Sequence, residues 1–329
     1  MTEVLDQADR DICAALLRNG RASWRLIARA TGLQERTVAR RAARLFEQGL
    51  VRVTALPHPL LMGRGDAYLG RVFCDPDRLV EVARRLSHRP ETLWVATTMS
   101  GSAVLAECFI RAEERSRFVE RELPELGIRD FSFSAIHHYR RTVRGYQPGI
   151  LTEDQLAMLG EDETSALIAS EGPHEQLDQI DLDLIALLNR DGRMSIDAIS
   201  SELGIAKATV RRRLQVMQSS DRVSIRAVLE PGLLGFPHEV YLSARVPIPR
   251  LDDLADLIAA DPRSRWVSES TADGTVRAML ALRSRNEVPI ALAELAARFG
   301  DDGLAVEVDP ILTMYKRSDV LLPPALAAA

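Results

Sequence analysis

Three groups of side chains in this 329-residue chain have types and spacings that could do chemistry. The densest is Gln34-Glu-Arg-Thr-Val-Ala-Arg-Arg-Ala-Ala-Arg, which gathers Arg36, Arg40, Arg41 and Arg44 around Thr37. A guanidinium offers a planar fork of N–H donors that fits a phosphate or the O6/N7 edge of guanine, so the cluster points to nucleic acid. Lys207, Thr209, Arg211, Arg212 and Arg213 repeat the theme further along. The second group is a pair of polar turns. One is Met99, Ser100, Gly101 and Ser102; the other holds Asp273 and Gly274. Each offers hydroxyls or a carboxylate in what is, by residue type, a plain β-turn using glycine for positive φ. The third is Ile136-His-His-Tyr-Arg-Arg, whose histidines and arginines could move protons or hold anions. The alternative is that His137 and His138 alternate across a strand in a structural role.

Other chemistry lacks its motifs. No Gly-rich phosphate loop, nucleophile elbow or metal-ligand cluster is present, so neither a cofactor nor a metal is expected, and the chain is not expected to be an enzyme. Cys13, Cys74 and Cys108 are scattered and read as reduced thiols. The N-terminus lacks a basic region followed by an apolar stretch, and no apolar run approaches the ~20 residues that span a bilayer. A cytoplasmic protein with no membrane partner is the expectation.

The elements that must position these groups are written twice. Asp6-Gln-Ala-Asp-Arg-Asp-Ile returns as Asp178-Gln-Ile-Asp-Leu-Asp-Leu, an offset of 172. The same offset pairs Gly20-Arg21 with Gly192-Arg193, Ser23 with Ser195, Gly32 with Gly204, Arg40-Arg41 with Arg212-Arg213, and Trp94-Val95 with Trp266-Val267. Each copy opens with helical periodicity, as in Ile180, Leu184, Leu187 and Leu188. Ser23 and Ser195 stand where N-caps belong, and Gly32 and Gly204 close the short second helices. The third helices follow, with core positions Val38, Ala42 and Leu45 in the first copy and Val210, Leu214 and Met217 in the second. This is a helix-turn-helix arrangement. At about 100° per residue with Val38 facing the core, Arg36, Arg40 and Arg44 fall near 160°, 200° and 240°, opposite the packed face. Gln34 and Glu35 sit at the helix N-terminus, where such helices touch base edges.

A different alternation follows. Strands are predicted at Ala67–Phe73, Thr92–Thr98, Ala103–Ile110 and Ile128–Ala135, with helices at Arg78–Leu86 and Glu114–Leu123. The second copy repeats this with strands at Glu239–Val246, Ser264–Ser270, Thr275–Leu282 and Leu304–Ile311, and helices at Leu251–Ala260 and Glu287–Phe299. The order βαββαβ is the ferredoxin-like unit. The fold class is therefore α+β: two winged-type helix-turn-helix domains (1–56 and 177–230), each followed by a ferredoxin-like domain (64–146 and 236–320). An acidic linker over 147–176 joins them, with one short helix at Glu153–Leu159.

The net charge of −5 opposes nucleic-acid binding only on average. No Lys or Arg lies between Arg144 and Arg190, whereas ten acids do, so the remainder carries +5. Local charge sets the field that a phosphate backbone meets. Residues 1–56 hold ten bases and six acids; residues 178–230 balance at eight each, and Val216 replaces Arg44. The first copy is thus expected to read sequence and the second to supply phosphate contacts.

Taken with Asp9-Arg-Asp-Ile, Ile27-Ala-Arg-Ala-Thr-Gly-Leu and Arg36-Thr-Val-Ala-Arg-Arg, this order resembles the Lrp/AsnC (feast/famine) transcription regulators, once per copy. The second copy departs from the pattern where its helix ends in Ser219-Ser-Asp-Arg-Val without the usual glycine. The resemblance implies double-stranded DNA as partner, an amino acid or related small molecule as effector, and a ferredoxin-like (RAM) domain that dimerises. Fusion implies an intramolecular pseudo-dimer that associates into a further homo-oligomer. The resemblance further implies that Met99, Ser100, Gly101 and Ser102, and likewise Asp273 and Gly274, form the effector-sensing loops; the family's loop carries Gly followed closely by Asp, but Gly101 has no acid beside it and Asp273 precedes Gly274. Some sirohaem decarboxylases look like the same scaffold, which makes such an enzyme the alternative reading.

Overall fold

The computed structural model describes residues 5–58, 61–101, 103–160 and 177–322. The first copy opens with α1 (Gln7–Arg18), α2 (Trp24–Thr31) and α3 (Glu35–Glu47), the second with α7 (Gln179–Arg190), α8 (Ile196–Leu203) and α9 (Lys207–Ser219). Local chemistry sets their limits. Asp6 and Asp178 accept the backbone N–H of Asp9 and Asp181, and Ser23 and Ser195 accept those of Leu26 and Ala198. Each bond satisfies a donor that a helix start leaves unpaired. Gly32 and Gly204 end α2 and α8 at φ +73° and +65°, a conformation that costs glycine little.

A strand that the periodicity did not announce follows each third helix: β1 (Arg52–Pro57) and β7 (Val223–Val228). They pair antiparallel with each other, from Arg52 opposite Val228 to Pro57 opposite Val223. The two helix-turn-helix units thus share one ribbon. They also share one core, in which Ile12, Leu16, Ile27, Val38 and Leu45 pack in a cluster with Leu184, Leu188, Ile199, Val210 and Met217.

The first ferredoxin-like unit comprises β2 (Asp66–Phe73), α4 (Leu79–Ser87), β3 (Thr92–Thr98), β4 (Ala103–Ile110) and β5 (Asp130–Ala135). Its second helix, expected as one piece over Glu114–Leu123, is broken. One α turn, α5 (Arg115–Arg117), leads into a π segment over Phe118–Glu122 and a 3-10 turn over Pro124–Leu126. Pro124 has no N–H to continue the ladder. The second unit comprises β8 (His238–Arg245), α10 (Leu251–Ala260), β9 (Ser264–Ser270), β10 (Thr275–Leu282), α11 (Glu287–Phe299) and β11 (Ala305–Arg317), with β12 (Val320–Leu321) folding back on β11.

The two units form one continuous sheet by exchanging their last strands. After β5, the chain continues as β6 (His138–Arg141), which leaves its own unit and pairs with β9 of the other. β11 pairs with β8 as far as Pro310, then crosses to β3 from Ile311 onward. The strand order is β5-β2-β4-β3-β11-β8-β10-β9-β6. The expected strand end at Ile311 is therefore corrected: β11 runs on because its second half has a partner in the other copy. Trp94, Leu105, Phe109, Tyr139, Tyr241, Trp266, Met279 and Met314 fill the space between the units, with Trp94 edge-on to Trp266 at 5.7 Å.

The linker helix α6 is Glu153–Met158, capped reciprocally by Thr152 and Gln155. It returns to the first helix-turn-helix unit, where Asn19 Nδ2 donates to the Leu159 carbonyl at 3.0 Å. The rest of the acidic linker, over 161–176, lies outside the described residues, as does Ser102. Among the described residues no helix is long and apolar enough to cross a membrane, and no cluster of three or more His, Cys, Asp or Glu could hold a metal.

Candidate nucleic-acid interface

α3 buries Val38, Ala42 and Leu45 and turns its opposite side outward. Gln34, at the N-cap, makes no side-chain cap bond and is exposed, as are Arg36 and Arg40. Among the described residues neither arginine has an ion-pair partner, so both guanidinium groups are available to an incoming anion. Thr37 is half-buried beside them.

Arg41 and Arg44 stand elsewhere. Arg41 Nη1 reaches Asp6 at 2.7 Å and Asp9 at 2.9 Å, and Arg44 Nη2 pairs with the other oxygen of Asp9. Asp9 is buried on α1, so these arginines tie α3 to α1. The bonds that Asp6 accepts from the Asp9 N–H and from Arg41 hold its carboxyl below the usual range. Arg44, expected on the free stripe, is engaged through its guanidinium: a helix-wheel angle gives the direction of Cβ, whereas a long side chain can fold back to a buried carboxylate.

Arg25 and Arg29 of α2, one turn apart, are exposed and unpaired among the described residues. Sequence reasoning passed over them because attention fell on the third helix, although i, i+4 spacing on a polar face was available as a signal. With Arg36 and Arg40 they give the first copy four free cations on the exposed sides of α2 and α3.

The second copy offers less. Lys207 is neutralised by Asp197 at 2.8 Å, and Asp197 occupies the place of Arg25. Arg213 is bound to Asp178 and Asp181, both at 2.8 Å, repeating Arg41. Thr209 is half-buried; Arg211 and Arg212 alone are exposed and unpaired among the residues singled out there.

The polar turns lie apart from this surface, between the ferredoxin-like units. Ser100 donates its N–H to Asp309 Oδ1 at 3.1 Å and its hydroxyl to Asp309 Oδ2, while the Met99 N–H bonds the Pro310 carbonyl at 2.9 Å. The acid missing beside Gly101 in the sequence thus arrives from β11 of the other copy, 209 residues away. In the second turn, Asp273 is held by Arg277 at 2.7 Å, and Arg277 also bonds Ser134 of the first copy at 3.0 Å. Gly101 and Gly274 both have positive φ, and a Cβ on Gly274 would meet the Val246 carbonyl at 2.7 Å.

The residues at Ile136–Arg141 divide among several partners. His137 Nδ1 accepts from the Thr271 N–H at 3.1 Å, and His138 Nδ1 and Arg140 Nε reach Glu269 at 2.5 and 3.0 Å. Tyr139 donates to Glu107 at 2.6 Å, and Arg141 donates to the Asp261 and Ser264 carbonyls. His138 and Arg140 thus share the buried Glu269 carboxylate, while the side chains of His137, Tyr139 and Arg141 turn to other partners.

Comparison with known proteins agrees with this geometry. The model of the AsnC-type helix-turn-helix domain matches twice, at residues 5–45 and 177–218. The HTH-type transcriptional regulator FL11 of Pyrococcus horikoshii is 26% identical over 111 residues, 33% of this chain and 72% of the relative. The proline dehydrogenase transcriptional activator of Rhizobium radiobacter is 29% identical over 96 residues, 29% of this chain and 62% of the relative. The fold of nearly the whole chain is seen in the siroheme decarboxylase NirDL, with a TM-score of 0.59 at 13% identity over 89% of this chain and 86% of that one. With both helix-turn-helix segments matched and its curated relatives named as regulators, the chain belongs to the Lrp/AsnC family of DNA-binding transcription regulators, in a form that carries the family's unit twice.

Proposed function

We propose that the first helix-turn-helix unit reads the sequence of double-stranded DNA while the second mainly grips phosphate. The observation that carries this is the inequality of free cations: Arg25, Arg29, Arg36 and Arg40 against Arg211 and Arg212. Phosphate contacts position a protein on the duplex, and base-edge contacts specify the site. Gln34 and Arg36, at the start of α3, are the base readers, and Arg25, Arg29 and Arg40 flank them. The same reading includes response to an amino acid or related small molecule at the Ser100–Asp309 meeting of the two copies, and assembly of these pseudo-dimers into larger oligomers in the cytoplasm.

Fluorescence anisotropy on selected genomic fragments across a salt series tests the division of labour. Arg36→Ala should reduce discrimination between specific and random DNA on the order of tenfold, as loss of one bidentate base contact would. Arg212→Ala should weaken both alike and lower the salt slope by about one. Loss of discrimination in Arg212→Ala with unchanged non-specific affinity would reverse the assignment.

The NirDL likeness supports a second reading, an enzyme acting on a tetrapyrrole. Against it stands the engagement of these side chains within the fold: His138 and Arg140 on Glu269, His137 on Thr271, and Arg141 on the Asp261 and Ser264 carbonyls. A Soret band shifted from that of free sirohaem on mixing with the protein would favour the enzyme.

A further inference from the structure

Between the ribbon of β1 and β7 and the joined sheets lies a cavity with about 70 Å³ of space for water centres. One water needs ~10–15 Å³ on that measure, so the space admits a small organic molecule. Its walls are mostly apolar and aromatic, drawn from β1 through Leu56, from the first unit through Trp94 and Phe109, and from the second through Trp266 and Met279, with Arg64, Arg144, Arg317 and Asp319 adding charged groups. Glu107 of β4 lines it too. This acid is 1% exposed; its Oε1 accepts from Tyr139 at 2.6 Å and from Trp266 Nε1 at 3.2 Å. Its Oε2 is buried with no hydrogen-bond partner among the described residues.

A buried carboxyl oxygen without a donor is costly unless something completes it. The repeat places no matching acid here: at the offset of 172, Glu107 corresponds to Met279 on the opposite wall. A symmetric dimer would set two acids facing each other, and like charges so close cannot both ionise. Fusion of the copies allows Glu107 to stand without a matching acid opposite it, among the aromatic walls of the chamber.

We propose that this chamber binds a small apolar amine, its ammonium group on Glu107 Oε2 and its hydrocarbon body among Trp94, Phe109 and Trp266. The chemistry favours a cation. A carboxylate and aromatic faces both attract ammonium, whereas an anion would meet the acid. The arginines at the wall are already matched, Arg64 by Asp319 at 3.1 Å, Arg144 by Asp221 at 2.8 Å and Arg317 by Glu239 at 2.5 Å. The site does not depend on the DNA-binding reading.

Titration calorimetry of the full chain with benzylamine and its neutral analogue benzyl alcohol tests the site. The wild type should bind the amine at least about tenfold more tightly than the alcohol. Glu107→Gln should lose that preference while still binding the alcohol, which also reports an intact chamber. Val143→Phe, a substitution in the cavity wall that leaves Glu107 in place, should weaken both. Equal binding of amine and alcohol by the wild type, undiminished amine binding by either variant, or no heat from either compound at millimolar concentration would overturn the proposal.

Discussion

Arg21 and Arg193 clasp each other's copies across the internal twofold. Arg21 donates to the carbonyls of Gly192 and Met194 at 2.7 and 3.0 Å, and Arg193 to those of Gly20 and Ala22 at 2.5 and 3.0 Å. The glycines beside them are part of the device. The Gly20 N–H bonds the Ile225 carbonyl and the Gly192 N–H bonds that of Val53, so each loop lies against the other copy's strand. A Cβ at Gly20 would stand 2.7 Å from the Ile225 carbonyl, and one at Gly192 would stand 2.8 Å from Val53 and Thr54 backbone atoms.

Arg193→Ala should therefore lower stability by about 1.5–3 kcal/mol, the range for hydrogen bonds from a charged group. The guanidinium also stacks 3.9 Å from the Trp24 ring centre. Burial and the nearby Arg21 pull its pKa down to about 10, so it remains charged at neutral pH. Gly20→Ala should cost a similar amount through the clash. Urea unfolding measures both; wild-type midpoints would show that the loops contribute little to holding the copies together.

The repeated Gly-Arg was visible in the sequence, but its use was not, because both partners of each bond lie in the other copy. The same limit explains the remaining misses. Strands whose partners are local, such as Thr92–Thr98 and Ala103–Ile110, were legible to the residue, as were the caps at Ser23 and Ser195. β1 and β7 alternate suitably, yet pair only with each other across the repeat. β6 and the end of β11 are strands solely because the units exchange them. Asp309 was hidden in the same way, since spacing along one chain does not announce an exchanged strand. At the DNA face, Arg36 and Arg40 were legible because they depend only on helical period. Arg44 was misjudged because Asp9, its partner, lies on another helix.

That partner separates two kinds of arginine on one helix. Arg36→Ala and Arg40→Ala should leave thermal stability within about 0.5 kcal/mol of wild type, as exposed substitutions usually do, while weakening DNA binding. Arg41→Ala removes bonds to buried Asp9 and should cost about 1–3 kcal/mol. Arg44 still pairs with Asp9 in that variant, so Arg41→Ala combined with Asp9→Asn should lose further stability and not regain it. Calorimetric melting of the three single variants and the double variant decides it; equal Tm values for Arg36→Ala and Arg41→Ala would contradict the distinction.

Glu107 makes a prediction about pH. Burial raises its carboxyl from an ordinary value of 4.5 to about 7, against the opposing pull of its bonds from Tyr139 and Trp266, of Arg64 and of Trp94. Between pH 4.5 and 7 the folded chain keeps this proton and the unfolded chain has lost it, so the folded state binds more protons. Stability from this group is complete below about pH 4.5, falls as pH rises through the window, and levels off above about 7. At about 1.4 kcal/mol per pH unit, the loss should total roughly 3 kcal/mol. Glu107→Gln cannot lose a proton, so its stability relative to wild type should increase between pH 5 and pH 8. Other titrating groups, His58 at the cavity wall among them, are common to both proteins and cancel in the difference. If the two unfolding curves kept a constant separation across that range, the carboxyl would have to be ionised inside the fold. Arg64 and Trp94, which already pull against the shift, would then have to stabilise the ionised form.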